Sequence, residues 1–240
     1  MNGHRRVSTG WLQAVLLDWD GTLLDSFEAD AAAFLALFRH FGVGWGVREL
    51  VQHYSPDWHR VYRAAGLPRE RWAEADRVWR RAYARQQPAL RAGARRLVRA
   101  LSRRYRLALV SGGHRNRVCA QVRRFGLAPY FATVVCRDDT RMAKPHPAPL
   151  RLALRRLGLS PLQSVYVGDA PEDVQMARRA GLAALGVLGP FPVGERLAAA
   201  QPDALVERLE EIPPLLERWA ASAPPLSRLR RAARAKDSAA

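Results

Sequence analysis

Apolar positions along this chain follow two periods, and each period predicts a different element. Short unbroken runs, Ala14-Val15-Leu16-Leu17, Leu107-Ala108-Leu109-Val110, residues 132–136, Val165-Tyr166-Val167 and residues 183–187, read as strands buried on both faces. Between them apolar residues return at helical spacing. Asp25-Ser26 can cap a helix in which Phe34, Leu37, Phe38 and Phe41 share a face, and further helices are expected at 91–104, 115–125, 149–157 and 171–180. Strands alternating with helices predict an α/β fold with a parallel, Rossmann-like sheet. Residues 197–219 read as one late helix packing on that core.

The alternation is interrupted once. Between the first strand and Pro88 lie some 60 residues with no strand signal, far longer than an ordinary connection, so they should form a substructure of their own. After the break at Gly42 to Gly46, segments 47–54, 57–65 and 69–86 are helical, the last with Trp72, Trp79 and Tyr83 on one side as packing anchors. The predicted organisation is therefore a core built from residues 1–24 and 88–222, an all-helical insertion over 25–87, and a basic, solvated tail over 223–240. No internal repeat is visible.

Chemistry collects where the strands end. The first strand runs into Asp18-Trp19-Asp20-Gly21-Thr22-Leu23, the second into Ser111-Gly112-Gly113, the third through a loop into Lys144-Pro145, and the fourth into Gly168-Asp169 with Asp173 four residues on. Each group has an ordinary structural use: Ser111 as a turn residue, Lys144 as a solvated loop lysine, Asp169 and Asp173 as the cap and first turn of a helix. Taken together they arrive in the order in which a parallel sheet would gather them at its carboxyl edge, where open α/β folds bind ligands. Paired carboxylates with a third acid opposite suit a hard divalent cation such as Mg²⁺. A lysine, a hydroxyl and permissive backbone N–H groups suit a phosphoryl group.

These motifs resemble those of the haloacid dehalogenase superfamily: Asp18-Trp19-Asp20-Gly21-Thr22-Leu23 the first, Ser111-Gly112 the second, Lys144 the third, and Gly168-Asp169 with Asp173 the fourth. The resemblance implies a phosphatase in which Asp18 is the nucleophile forming an aspartyl-phosphate and Asp20 the acid/base. It implies that Ser111, Gly112 and Lys144 hold the phosphoryl group, and that Asp18, the Asp20 backbone carbonyl and Asp169 bind Mg²⁺ with Asp173 in support. It makes residues 25–87 a helical cap, in which His53, Tyr54, His59 and Arg60 are candidate substrate contacts. The dehalogenating branch lacks a second acid, so Asp20 argues against it. The absence of lysine from 25–87 argues against phosphonoacetaldehyde hydrolases and weakens a β-phosphoglucomutase reading. Phosphoglycolate phosphatase-like enzymes remain, with a phosphomutase or a non-catalytic phosphate-binding regulator as the alternatives.

Composition changes this picture little. The formal net charge of +17 invites a nucleic-acid reading. Yet 37 of the 39 basic residues are arginine in an Ala-, Leu- and Gly-rich chain, and no zinc-finger, recognition-helix or RNA-binding motif accompanies them, so no nucleic-acid partner is expected. Residues 69–106 carry 13 arginines against three acids, enough to steer a small anionic, phosphorylated substrate. Residues 1–9 lack the apolar stretch of a signal peptide, and no apolar run spans a membrane, so a cytoplasmic monomer or homodimer is expected. Cys119 and Cys136 read as reduced thiols in or near the core.

Overall fold

A computed structural model describes residues 10–222. The expectations for residues 1–9 and for the tail at 223–240 lie outside the described residues. Helices and strands follow in the order β1 (Ala14–Leu17), β2 (Leu24–Asp25), α1 (Phe27–His40), α2 (Val47–His53), α3 (Trp58–Ala64), α4 (Trp72–Tyr83) and β3 (Ala89–Leu90). The chain continues through α5 (Ala94–Ser102), β4 (Arg106–Val110), α6 (Arg115–Arg124), β5 (Phe131–Val135) and α7 (Ala148–Leu157). It ends with β6 (Ser164–Gly168), α8 (Pro171–Ala180), β7 (Ala183–Val187), α9 (Gly194–Ala199), β8 (Ala204–Val206) and α10 (Ile212–Ala221).

Six strands form one parallel sheet in the order β5-β4-β1-β6-β7-β8. β1 is central, hydrogen-bonded to β4 on one side and β6 on the other, which is why all four of its residues are buried. The two-residue period of a strand divides them between the faces. Val15 and Leu17 join Leu97 and Val98 of α5, Val118 and Val122 of α6, and Leu216 of α10. Ala14 and Leu16 join Leu150 and Leu154 of α7 with Met176 and Ala177 of α8.

Helices α1 to α4 enclose a third apolar cluster in which Phe34, Phe38, Tyr62 and Trp79 are fully buried. Where the chain leaves for this insert and returns from it, β2 and β3 pair antiparallel, Leu24 against Leu90 and Asp25 against Ala89, so the insert hangs from a two-stranded ribbon. The sequence gives little sign of this ribbon because each strand has only two residues.

The expectation of a single helix over 197–219 is corrected. α9 stops at Ala199, Gln201 turns through a φ of 53°, and β8 adds a sixth strand beside β7 before α10 begins. Pro202 explains the stop, since proline offers no N–H to a helix interior. Pro213 and Pro214 instead fall in the first turn of α10, where that loss costs nothing. No helix among the described residues is long and apolar enough to cross a membrane.

Candidate active site

Backbone pairing carries β1 one step beyond its last residue. The Asp18 N–H donates to Val167 O at 2.9 Å, which fixes the first acid between β4 and β6. Alternation then sends Trp19 to the opposite side, where its Nε1 donates to Gln121 Oε1 at 2.9 Å within the sheet's packing cluster. Gly21 turns the chain with φ +77°. A Cβ at that position would stand 2.1 Å from Asp169 Oδ2, so a side chain is excluded both by conformation and by the close approach of the acid. Thr22, within the same turn, donates from Oγ1 to Asp169 Oδ1 at 2.8 Å.

Lys144 reaches across from the loop after β5. Its Nζ lies 2.7 Å from Asp18 Oδ1 and 2.8 Å from Asp173 Oδ1, and all three side chains are buried. Asp173 has no oxygen to spare: Oδ1 also accepts from Tyr166 Oη at 3.2 Å, and Oδ2 accepts the Ala170 N–H at 3.1 Å at the start of α8. Asp173 therefore orients Lys144, and Lys144 orients Asp18. Burial works against the ammonium charge, but Asp173 and Asp18 hold Lys144 well above its ordinary value.

Carboxylate oxygens of Asp18, Asp169 and Asp173 lie within 4.8 Å of one another. Burial pushes the Asp18 carboxyl up against the pull of Lys144, and it pushes Asp169 up to about 7 with Asp173 adding repulsion. Three buried carboxyl groups crowd around one ammonium and repel one another, and every donor is a hard oxygen. Both properties fit a divalent cation.

Asp20 lies on the other flank. Arg117 of α6 grips it bidentately, Nη1 to Oδ1 and Nη2 to Oδ2 at 2.7 Å each, and Ser111 Oγ donates to Oδ2 at 3.4 Å while accepting the Gly113 N–H at 3.0 Å. Gly112 lines the same cavity, of about 50 Å³, as Asp18, Asp20, Lys144 and Asp169. The structure thus brings together every core residue that the motifs single out.

The candidates in the insert fare differently. Tyr54 lines the cavity and stacks on Phe191 with centroids 4.7 Å apart. His59 lines a neighbouring groove of about 390 Å³. His53 stacks on Trp45 at 4.9 Å and Arg60 faces Asp57 at 3.9 Å; neither lines the cavity, because each points along an outer face of its short helix. In their place the structure puts Asp30 of α1, Trp58 of α3 and Trp79 of α4. Burial, with Asp20 beside it, pushes the Asp30 carboxyl up to about 8. The arginines of α5 line a separate groove with Phe125, and the one arginine in the cavity, Arg117, lies outside the basic segment 69–106.

The sequence profile of the haloacid dehalogenase-like hydrolases matches residues 15–187. The chain belongs to that family of hydrolases. A pyrophosphatase PpaX from Bacillus velezensis is 30% identical over 204 residues, covering 83% of this chain and 94% of that protein. A phosphoglycolate phosphatase from Pectobacterium atrosepticum is 38% identical over 91 residues, only 38% of this chain and 39% of its own length. Among solved structures, CbbY from Rhodobacter sphaeroides in complex with xylulose-(1,5)bisphosphate superposes with a TM-score of 0.71 at 27% identity, covering 84% of this chain and 96% of that one. A predicted phosphoglycolate phosphatase from Haemophilus somnus reaches 0.77 at 21% identity, covering 87% and 99%. With these similarities the enzyme is a hydrolase whose relatives carry the names of phosphatases.

Proposed function

We propose that this hydrolase is a Mg²⁺-dependent phosphatase of small phosphate monoesters, working through a phosphorylated Asp18 beneath a helical cap formed by residues 25–87. The observation that carries the reading is the buried chain Asp173–Lys144–Asp18, 2.8 and 2.7 Å long, with Asp169 beside it at the sheet edge. A carboxylate held by a fixed ammonium is positioned for in-line attack on phosphorus, and the ammonium offsets charge on the equatorial oxygens.

Asp18, the Asp20 carbonyl and Asp169 would hold Mg²⁺, which when bound would balance the negative charge of the acids and the phosphoryl oxygens. Asp18 attacks phosphorus as the ester P–O bond breaks, and the Asp20 carboxyl passes its proton to the departing oxygen. Asp20 then takes a proton from water as that water attacks the aspartyl-phosphate, which releases phosphate and restores Asp18. Ser111 Oγ and the Gly112 N–H receive the phosphoryl oxygens. The relatives' named compounds, phosphoglycolate, pyrophosphate and a sugar bisphosphate, support a compact anionic substrate.

A panel of phosphate esters, with released phosphate and recovered alcohol as readouts, tests the reading. Turnover should need Mg²⁺, stop in excess chelator and fall to background in Asp18→Asn. Full activity in chelator would refute the metal assignment, full activity in Asp18→Asn the nucleophile, and an isomerised sugar phosphate as product would make the enzyme a mutase.

A further inference from the structure

Two donors in the cavity wall lack the partners their chemistry requires. Trp79 is 1% exposed and Ser26 is fully buried, both line the cavity, and neither the Trp79 Nε1–H nor the Ser26 hydroxyl has a hydrogen-bond partner. An indole N–H can only donate, so what is missing opposite Trp79 is an acceptor.

Tyr83 links Trp79 to Arg117, which lines the same cavity. Trp79 stacks on Tyr83 with centroids 4.7 Å apart, and the Arg117 guanidinium lies over the Tyr83 ring at 4.8 Å. Lys144, the other cation lining the cavity, is committed to Asp18 and Asp173. Arg117 holds Asp20, with Tyr83 Oη at 3.3 Å and Gln121 Oε1 at 3.2 Å as weaker partners. Arg117 and Trp79 also both line an outer groove of about 470 Å³ between α4 and α6.

We propose that Arg117 and the Trp79 indole N–H are the receptor for a second acidic group on the substrate, a carboxylate or second phosphoryl group, and that the Asp20 carboxylate occupies the guanidinium when no such group is present. A guanidinium fork binds planar carboxylate and phosphate oxygens equally well, so an incoming anion can replace Asp20 on the same two N–H groups. A neutral hydroxyl could satisfy Trp79 but could not compete with a carboxylate for Arg117. Replacement leaves Asp20 with Ser111 and free to take up from water the proton it passes to the leaving group, so the second acid is both recognised and linked to release of the acid/base. This inference rests on the phosphatase reading and extends it to substrate choice.

The test compares 2-phosphoglycolate with ethyl phosphate, esters of similar length with and without a carboxylate, in the wild type, Arg117→Ala, Arg117→Lys and Trp79→Phe, each checked for cooperative thermal unfolding. Release of phosphate from ethyl phosphate by the wild type tests the phosphatase reading by itself. The wild type should prefer the acid-bearing ester. Arg117→Ala should raise its KM by about 10- to 100-fold more than that of ethyl phosphate, the loss expected for charged hydrogen bonds. Arg117→Lys should recover part of that preference, and Trp79→Phe should lose about 5- to 10-fold for the acid-bearing ester alone. If Arg117→Ala lowers kcat equally for both esters with KM unchanged, Arg117 only holds Asp20 and the proposal fails. A wild type without preference for the acid-bearing ester also overturns it, as does a Trp79→Phe variant indistinguishable from the wild type, whose indole would then be satisfied by water.

Discussion

The two halves of the cavity wall are built by different means. At the sheet edge three of the functional groups are placed by backbone: Asp18 by its N–H bond to Val167, Ser111 by its own to Val135 at 2.9 Å, and Asp173 by the first turn of α8. Across the cavity, Asp30, Trp58 and Trp79 come from three helices, and packing alone decides where they point. Trp79 is held by Trp58 at 4.1 Å, Phe34 at 6.1 Å and Tyr83 at 4.7 Å. Chemistry fixed by backbone leaves a contiguous motif, whereas chemistry fixed by packing leaves residues scattered through an amphipathic pattern that any helical layer would show.

Removing Lys144 should produce the largest effect. Lys144→Met leaves Asp18 and Asp173 buried without their shared cation, so kcat should fall by about 10³-fold and stability by roughly 3–5 kcal/mol. Steady-state kinetics on an aryl phosphate and urea denaturation measure both. A comparable loss of kcat from Tyr54→Phe on the same ester would break the contrast, because an insert residue would then act as directly in the chemistry as the sheet edge does.

A cavity in the insert's own cluster should come next. Phe34 is fully buried against Phe38, Tyr62 and Trp79, so Phe34→Ala should cost about 3–5 kcal/mol. Its apolar cluster is separate from the two that sandwich the sheet. Hydrogen exchange should therefore show protection lost in α1 to α4 and retained in β1, β4 and β6. Uniform loss across both regions would mean that insert and sheet open as one unit.

How much was legible in the sequence follows the same division. Five of the six strands of the sheet, its parallel character and the core motif residues could be read because each acid, hydroxyl or lysine follows an apolar run directly or through one loop. Thr22 was visible within the first motif, but its hydrogen bond to Asp169 joins positions 147 residues apart and has no local sign. Arg117 could not be singled out, since one half-buried arginine looks like any other in a chain with 37 of them. Asp30 sits among alanines near the start of α1, where an acid reads as a solvated favourable charge at a helix N-terminus. Ser26 occupies the cap position as expected, but its hydroxyl makes no capping bond and is buried, while the residue lines the cavity. Sequence position fixed where that side chain begins, and only the packed insert shows what it faces.

Asp30 gives a smaller effect with a definite sign. Its folded-state carboxyl titrates at about 8, above the ordinary value of 3.8, because of burial and then Asp20. The folded chain therefore holds a proton that the unfolded chain has released between these values, and stability falls as pH rises through that window. Asp30→Asn keeps the shape without the titration, so it should flatten this decline and be the more stable protein above pH 8 by about 1–3 kcal/mol. Thermal unfolding from pH 5 to 9 measures the difference. Parallel curves for the two proteins would show that Asp30 is ionised throughout, and the insert's wall would then be as strongly charged as the sheet edge.

The smallest effect should come from a seam where the two regions meet through Glu172 and Arg196. Ser55 Oγ donates to Glu172 Oε1 at 3.3 Å, while Arg196 reaches Tyr54 O at 3.0 Å and Glu172 Oε1 at 3.8 Å. Arg196 is half exposed, so its ion pair is screened and worth less than about 1 kcal/mol. Glu172 is buried at the start of α8, one residue before Asp173, with Oε2 unpartnered, and burial raises its carboxyl against the pull of Arg196. Arg196→Ala should therefore leave the fold intact and the Lys144 network undisturbed while loosening the hold on Tyr54, which lines the cavity. The expected result is a rise in KM of about twofold to fivefold with kcat nearly constant, consistent with the small worth of an exposed pair. A kcat loss approaching that of Lys144→Met would show that Glu172 transmits the insert's position to Asp173 through α8, and the sheet edge could no longer be regarded as set by backbone alone.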